Sequence, residues 1–267
     1  MTTAKFIHVS LVIVLLLTAT AHPRKQTVAN PQDLAQQDIV RQARSAYYSL
    51  AKKGFNGFTA TVEPNWDVIL AQTATSANLK IFRDIKFSII VDADGAVTVT
   101  HELGPNASKP DLEPTVNRIH SDVQRLVTGF FNTWRIFVVS SPFPETEMKI
   151  ENSGKQYRVF YTTHSGDVTI TMTGDFSSDF SIKEWNLAGP TVKRTVKPQF
   201  QKTADGLLLT DYKQLFEPIG DGIKTTLDFH IDYQDFNGLK VPQKVRLNGV
   251  HGSEPVAAEL VFIPKTQ

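Results

Sequence analysis

The chain of 267 residues has no cysteine. Disulfides, thiolate nucleophiles, iron–sulfur clusters, thiolate zinc sites and a lipid anchor on an N-terminal cysteine are all excluded by that one absence. Excess charge of one sign is missing too. The 28 Lys and Arg face 27 Asp and Glu, a formal net charge of +1, so no global field draws the protein onto nucleic acid or anionic lipid. Long apolar runs are absent after the N-terminal segment, and a bilayer span needs about 20 such residues. Motifs are missing as well: there is no H-E-x-x-H, no G-x-S-x-G elbow and no glycine fingerprint for nucleotide phosphates. What remains is 41% hydrophobic and 21% charged, a globular composition rather than a disordered or repetitive one.

Residues 1–21 have the layout of a secretory signal peptide. Lys5 supplies the positive start, Leu11 to Leu17 the apolar stretch, and Ala19-Thr20-Ala21 the small-x-small cleavage site. The alternative is an uncleaved anchor, which a run this short spans poorly. Cleavage after Ala21 would make the protein periplasmic or secreted. An exported chain of this size can build a sufficient core without disulfides, which suits a bacterial periplasm. Residues 22–30 are polar and read as a flexible tail. Residues 31–267 show no composition shift and no repeat, and read as a single domain.

Two helices stand out. Over 31–53, Asn30 is placed to cap, Pro31 to start, and Ile39, Ala43, Ala46, Tyr47 and Leu50 recur at helical spacing before Gly54. Over 111–138, with Asp111 as the expected cap, Leu112, Val116, Ile119, Val123, Leu126, Val127, Phe130, Trp134 and Phe137 form one apolar stripe that Pro142 and Pro144 close. Residues 65–85 are ambiguous and admit two short helices. Elsewhere apolar residues alternate: 58–62, 87–99, then strand after strand from 145 to the end, with no helical crossover. Neighbouring strands are therefore expected to be antiparallel. The fold class is α+β: a strongly curved antiparallel sheet, an incomplete β-barrel, with its concave face covered by the helices.

The hydrophobic pattern also predicts register. A three-residue loop Phe236-Asn237-Gly238, bulged at Gly238, pairs Tyr233 with Val241 and Phe229 with Val245. A two-residue Asn237-Gly238 loop followed by regular pairing would set Ile231 and Phe229 against Lys244 and Arg246. A three-residue loop Ala93-Asp94-Gly95 likewise pairs Val91 with Val97 and Ile89 with Val99.

Candidate chemistry is sparse. Asp228, His230 and Asp232 share one face of a strand and could grip a metal, or form a solvated charged face. His164-Ser165-Gly166-Asp167 contains the residue types of a hydrolytic triad, but adjacent positions in a turn cannot align nucleophile, base and orienter. Arg194 lies on the apolar side of its strand. It reads either as an edge arginine reaching solvent, the commoner use, or as a polar anchor at the mouth of an apolar cavity. Phe130, Trp134 and Phe137 from the long helix, with Phe229 and Tyr233 from the sheet, are a core and, where the helix leaves a gap, the lining of an acyl-binding cavity. Asn106-Ala107-Ser108 is a glycosylation sequon, relevant only to a eukaryotic secretory route.

The order of elements, together with the stretch Tyr233-Gln-Asp-Phe-Asn-Gly238-Leu-Lys-Val-Pro242-Gln-Lys-Val245, resembles the outer-membrane lipoprotein-sorting carriers, the LolA-like family. Residues 64–110 and the length of the 111–138 helix depart from that pattern. The family's functional arginine has no counterpart matched residue by residue. The resemblance implies an incomplete barrel that takes up the acyl chain of a lipid or lipoprotein. With no catalytic motif, the expected function is a soluble, non-catalytic carrier or binding module for lipid or acylated protein, monomeric and without a cofactor, that hands its cargo to an envelope membrane partner. The alternatives are an envelope structural or interaction protein with a packed core and a metal-dependent enzyme built around Asp228, His230 and Asp232.

Overall fold

The computed structural model describes residues 31–71, 76–144, 148–154, 156–165 and 168–265. The expected signal peptide, the 22–30 tail and the Asn30 cap lie outside them. The helices are α1 (Pro31–Ser45), α2 (Trp66–Ile69), α3 (Ser76–Arg83) and α4 (Glu113–Trp134). The strands are β1 (Phe58–Pro64), β2 (Ile85–Val91), β3 (Val97–Leu103), β4 (Lys149–Asn152), β5 (Gln156–Ser165), β6 (Val168–Ser177), β7 (Ile182–Ala188), β8 (Val192–Thr203), β9 (Gly206–Pro218), β10 (Thr225–Phe236), β11 (Leu239–His251) and β12 (Glu254–Pro264).

All twelve strands form one curved, unclosed antiparallel sheet in the order β3-β2-β1-β12-β11-β10-β9-β8-β7-β6-β5-β4. Sequence neighbours pair except β3 with β4, and one pairing is added: β1 lies antiparallel beside β12. That single long-range pairing makes β3 and β4, which are consecutive in the chain, the two edges of the sheet. The segment between them must travel from one edge to the other. Helix α4, about 33 Å long at 1.5 Å per residue, makes that passage across the apolar face. Its ring contacts show the layer it forms: Phe130 stacks at 6.5 Å on Phe229 and at 6.1 Å on Phe262, and Phe131 meets Phe262 edge-on at 5.6 Å.

The long helices are interrupted where tertiary bonds outbid the helix ladder. The stretch expected to be helical to residue 53 stops at Ser45. Leu207 N–H then donates to Ala46 O at 2.8 Å, Tyr48 N–H to Leu207 O at 3.1 Å, and Leu50 N–H to Val138 O at 2.8 Å. Tyr47 makes an isolated parallel bridge with Leu207. Its hydroxyl donates to Phe180 O at 2.6 Å and accepts from Ile182 N–H at 3.0 Å. A short 3-10 turn, Ala51–Lys53, ends at Gly54 in the left-handed conformation. The expected 111–138 helix is a 3-10 turn at Pro110–Leu112, then α4, then a π-helical turn at Arg135–Val139. Asp111 does not cap it. Leu112 occupies the cap position without a side-chain bond, and Pro114 sets the first turn. Phe180, which alternates with Ile182 in the sequence as strand residues do, sits instead in the turn before β7 with φ 65°.

The Val91–Val97 and Ile89–Val99 pairs form as expected. The β10–β11 hairpin corrects the expected loop. Asn237 and Gly238 both have positive φ, 52° and 77°, which is the two-residue turn type matched to strand twist. Tyr233 then faces Pro242 rather than Val241, and the register shifts between Asp232 and Tyr233 so that Ile231 faces Val245 and Phe229 faces Leu247. A bulge does rescue the apolar face, but at Gln243, beside a proline that has no N–H for the ladder.

Candidate functional site

A cavity of about 440 Å³ opens between α2, α4 and the β10–β12 part of the sheet. Helix α4 gives it Ile119, Val123 and Leu126, one helical stripe. Helix α2 adds Trp66 and, at its C-cap, Leu70, and the strands add Leu227, Leu247 and Ala258. The room exists because the sheet supplies small residues where the helix stripe lacks bulk. Gly249 stands between Leu227 and Val256 in the ladder, and Ala258 beside Leu247. A Cβ on Gly249 would lie 2.1 Å from Thr226 O. Polar groups occupy defined places in the lining. Arg125 pairs with Asp122 one turn along α4, and the Thr225 hydroxyl is 2.7 Å from His251 Nδ1. Apolar side chains are exposed nearby: Val68 in the lining itself, Val250 next to Gly249, and Ile223, packed against Gly252.

The residues expected to line a cavity sit elsewhere on the same layer. Phe130, Trp134 and Phe137 are at most 1% exposed, and Phe229 is 5% exposed. They pack against other rings, Tyr212 stacking on Phe229 at 4.4 Å. Tyr233 donates its hydroxyl to Leu209 O at 2.7 Å, and burial pushes its phenol well above the usual range. These residues begin one helical turn beyond the cavity, after Leu126. Helical spacing marked the whole stripe as inward-facing; it carried no signal for where the opposing sheet turns small.

Arg194 is partly buried rather than extended into solvent. Its guanidinium points inward from β8 and donates to Thr133 Oγ1 of α4. With the Gln214 amide oxygen turned toward it, it also donates there from Nε and Nη2. The ring of Phe216 lies 5.6 Å from the guanidinium carbon. Among the described residues no carboxylate pairs with it, and desolvation pushes its pKa down to about 10. The side chain bridges sheet and helix through neutral acceptors. It is absent from the cavity lining.

Asp228, His230 and Asp232 do not converge on one point. Asp228 is 3.7 Å from Lys213. His230 uses Nδ1 toward Asp211 at 2.5 Å and Nε2 toward Asp232 at 3.1 Å. Asp232 also accepts from Arg246 at 3.0 Å. This is a cross-strand charge ladder, with both imidazole nitrogens engaged. His164 and Ser165 end β5, while Gly166 and Asp167 lie outside the described residues. No helix among the described residues is long and apolar enough to cross a membrane. Comparison with family models, with curated proteins and with solved structures finds no match to this chain.

Proposed function

We propose that the protein is an exported, non-catalytic carrier or binding module that takes an acyl chain, of a lipid or of an acylated protein, into an apolar cavity. The observation that carries this reading is the open cavity of about 440 Å³ between α2, α4 and β10–β12, a size within the range of small-molecule sites. Its walls are mostly aliphatic and aromatic, so each buried methylene contributes about 0.8 kcal/mol. The few polar groups suit a headgroup at the entrance. The unclosed sheet and the resemblance of the 233–245 hairpin to lipoprotein-sorting carriers point the same way. The exposed Val68 and Ile223 suit contact with an envelope membrane partner during transfer. A monomer is expected.

The test is native mass spectrometry of protein purified gently from an envelope fraction, followed by solvent extraction. A stoichiometric acyl-bearing species supports the carrier and identifies its cargo. An apo mass, unchanged after incubation with envelope lipids and lipoproteins, overturns it. The buried Phe130–Trp134–Phe137 layer would then favour an interaction module of the envelope.

A further inference from the structure

Two histidines 19 residues apart, on different elements, meet at the sheet edge. His101 is on β3, in phase with Val97 and Val99. His120 is on α4, one residue after the cavity-lining Ile119. Their Nδ1 atoms are 2.9 Å apart, and their ring centroids are 4.5 Å apart at an interplanar angle of 45°. Both rings pack on the fully buried Phe87, His120 stacking on it at 6.4 Å and 11°. Both side chains are partly buried and so remain reachable from solvent.

The two distances together constrain where the ring nitrogens aim. Two rings joined by a straight N–H···N bond would hold their centroids about 5 Å apart, because each centroid lies about 1.1 Å behind its nitrogen. The observed separation is shorter, so the rings are not collinear along the N···N line. Two imidazoles bound to one ion at 2.0–2.1 Å and at a right angle would have nitrogens about 2.9 Å apart and centroids about 4.5 Å apart. Those are the observed separations. A tetrahedral angle would spread the nitrogens to about 3.3 Å.

We propose that His101 and His120 form a binding site for a divalent transition ion of tetragonal preference, copper(II) or nickel(II), held by two cis Nδ1 atoms. Imidazole donors and right-angle geometry select these ions over magnesium or calcium, and copper(II) stands highest in affinity for such donors. Cysteine is absent, so no thiolate diverts the site to copper(I) or a cluster. Among the described residues no third His, Asp or Glu joins the pair; water completes the coordination, and the ion is exchangeable. Bound there, it ties edge strand β3 to α4 and adds to folding stability by mass action. The proposal is independent of the carrier reading.

The test is titration of chelator-treated protein with copper(II) alone, in a His22→Ala background, because cleavage after Ala21 would leave the His22 imidazole beside a free amino group that itself chelates copper(II). Electron paramagnetic resonance is expected to show one tetragonal ion per chain with nitrogen coupling. His101→Gln and His120→Gln should each weaken binding about tenfold or more, as loss of one of two donors requires. His230→Gln should leave it unchanged. With His22→Ala as the only substitution, the ring resonances of His101 and His120 should broaden before those of other histidines, a readout that survives misfolding of either variant. Broadening that begins elsewhere, binding that persists in both variants, or failure of copper(II) to bind overturns the site.

Discussion

Arg194 sets a problem at the scale of one residue. A cation held among Thr133, Gln214 and Phe216 has given up water without a carboxylate in return. Its neutral partners hold it in place, and they depend on it equally. Gln214 is 2% exposed, and an amide left unpaired there costs about 1–3 kcal/mol. Arg194→Met should therefore destabilise by that amount in urea unfolding, although it removes a desolvated charge. Arg194→Met with Gln214→Leu should regain most of the loss, since an apolar pair of similar volume is often neutral or better. Additive losses in the double-mutant cycle would show that the two side chains are not coupled. Asp179 offers the opposite case. It accepts from the Ser177 hydroxyl at 2.5 Å, from Ser181 N–H at 3.1 Å and from the Ser181 hydroxyl at 2.8 Å. These bonds, the Ser177 one first, push its carboxyl from 3.8 down to about 2. The ionised form is favoured in the fold, so its contribution is complete above the unfolded value and is lost as pH falls through about 2. Carbon-detected titration should find this carboxyl ionised at pH 3. Asp179→Asn should flatten the acid limb of stability, by a small amount because the site is exposed to solvent screening.

At the scale of elements, the β10–β11 hairpin shows what patterning can and cannot fix. Alternation requires Ile231 and Val245 to share a face, and they do. It cannot say where the extra residue sits, because a bulge at Gly238 and one at Gln243 rescue the same face. Turn chemistry decides: Asn-Gly in sequence favours two left-handed residues, and Asn237 at φ 52° adopts the first. Asn237→Val should cost about 1–2 kcal/mol, the penalty of a branched residue in that region, measured by denaturant midpoint at constant m-value. The same logic explains the helices. Local periodicity extended the first one through Tyr47 and Leu50, both buried. Tyr47 bridges Leu207, some 160 residues away, and Leu50 N–H donates to Val138 O, contacts that no local period reveals. The His101–His120 pair was illegible for the same reason: each residue reads as an inward position on its own element, and only the folded edge brings them together.

For the whole molecule, the pairing of β1 with β12 determines where a cavity can be. It places β3 and β4 at opposite edges and draws α4 across the apolar face. Where α4 and the π-helical turn after it present Phe130, Phe131, Trp134 and Phe137 the side chains are buried among other rings; where α4 presents Ile119, Val123 and Leu126 over Gly249 and Ala258 a cavity opens. The sequence shows the stripe and the sheet separately, but the cavity depends on which part of one meets which part of the other. Leu126→Trp exploits that division. Leu126 is partly buried and faces the open space, so the indole can enter the cavity without the crowding that costs about 1–3 kcal/mol in a packed core. The variant should keep its melting temperature within a few degrees, or raise it. If acyl chains bind there, the variant should lose the acyl-bearing mass seen in the unsubstituted protein. The matched change in the filled half, Phe130→Ala, should lower stability by about 3–5 kcal/mol and leave the bound mass in place wherever the protein remains folded. Retention of cargo by Leu126→Trp together with loss in Phe130→Ala would place binding in the aromatic half of the layer and remove the cavity as the site.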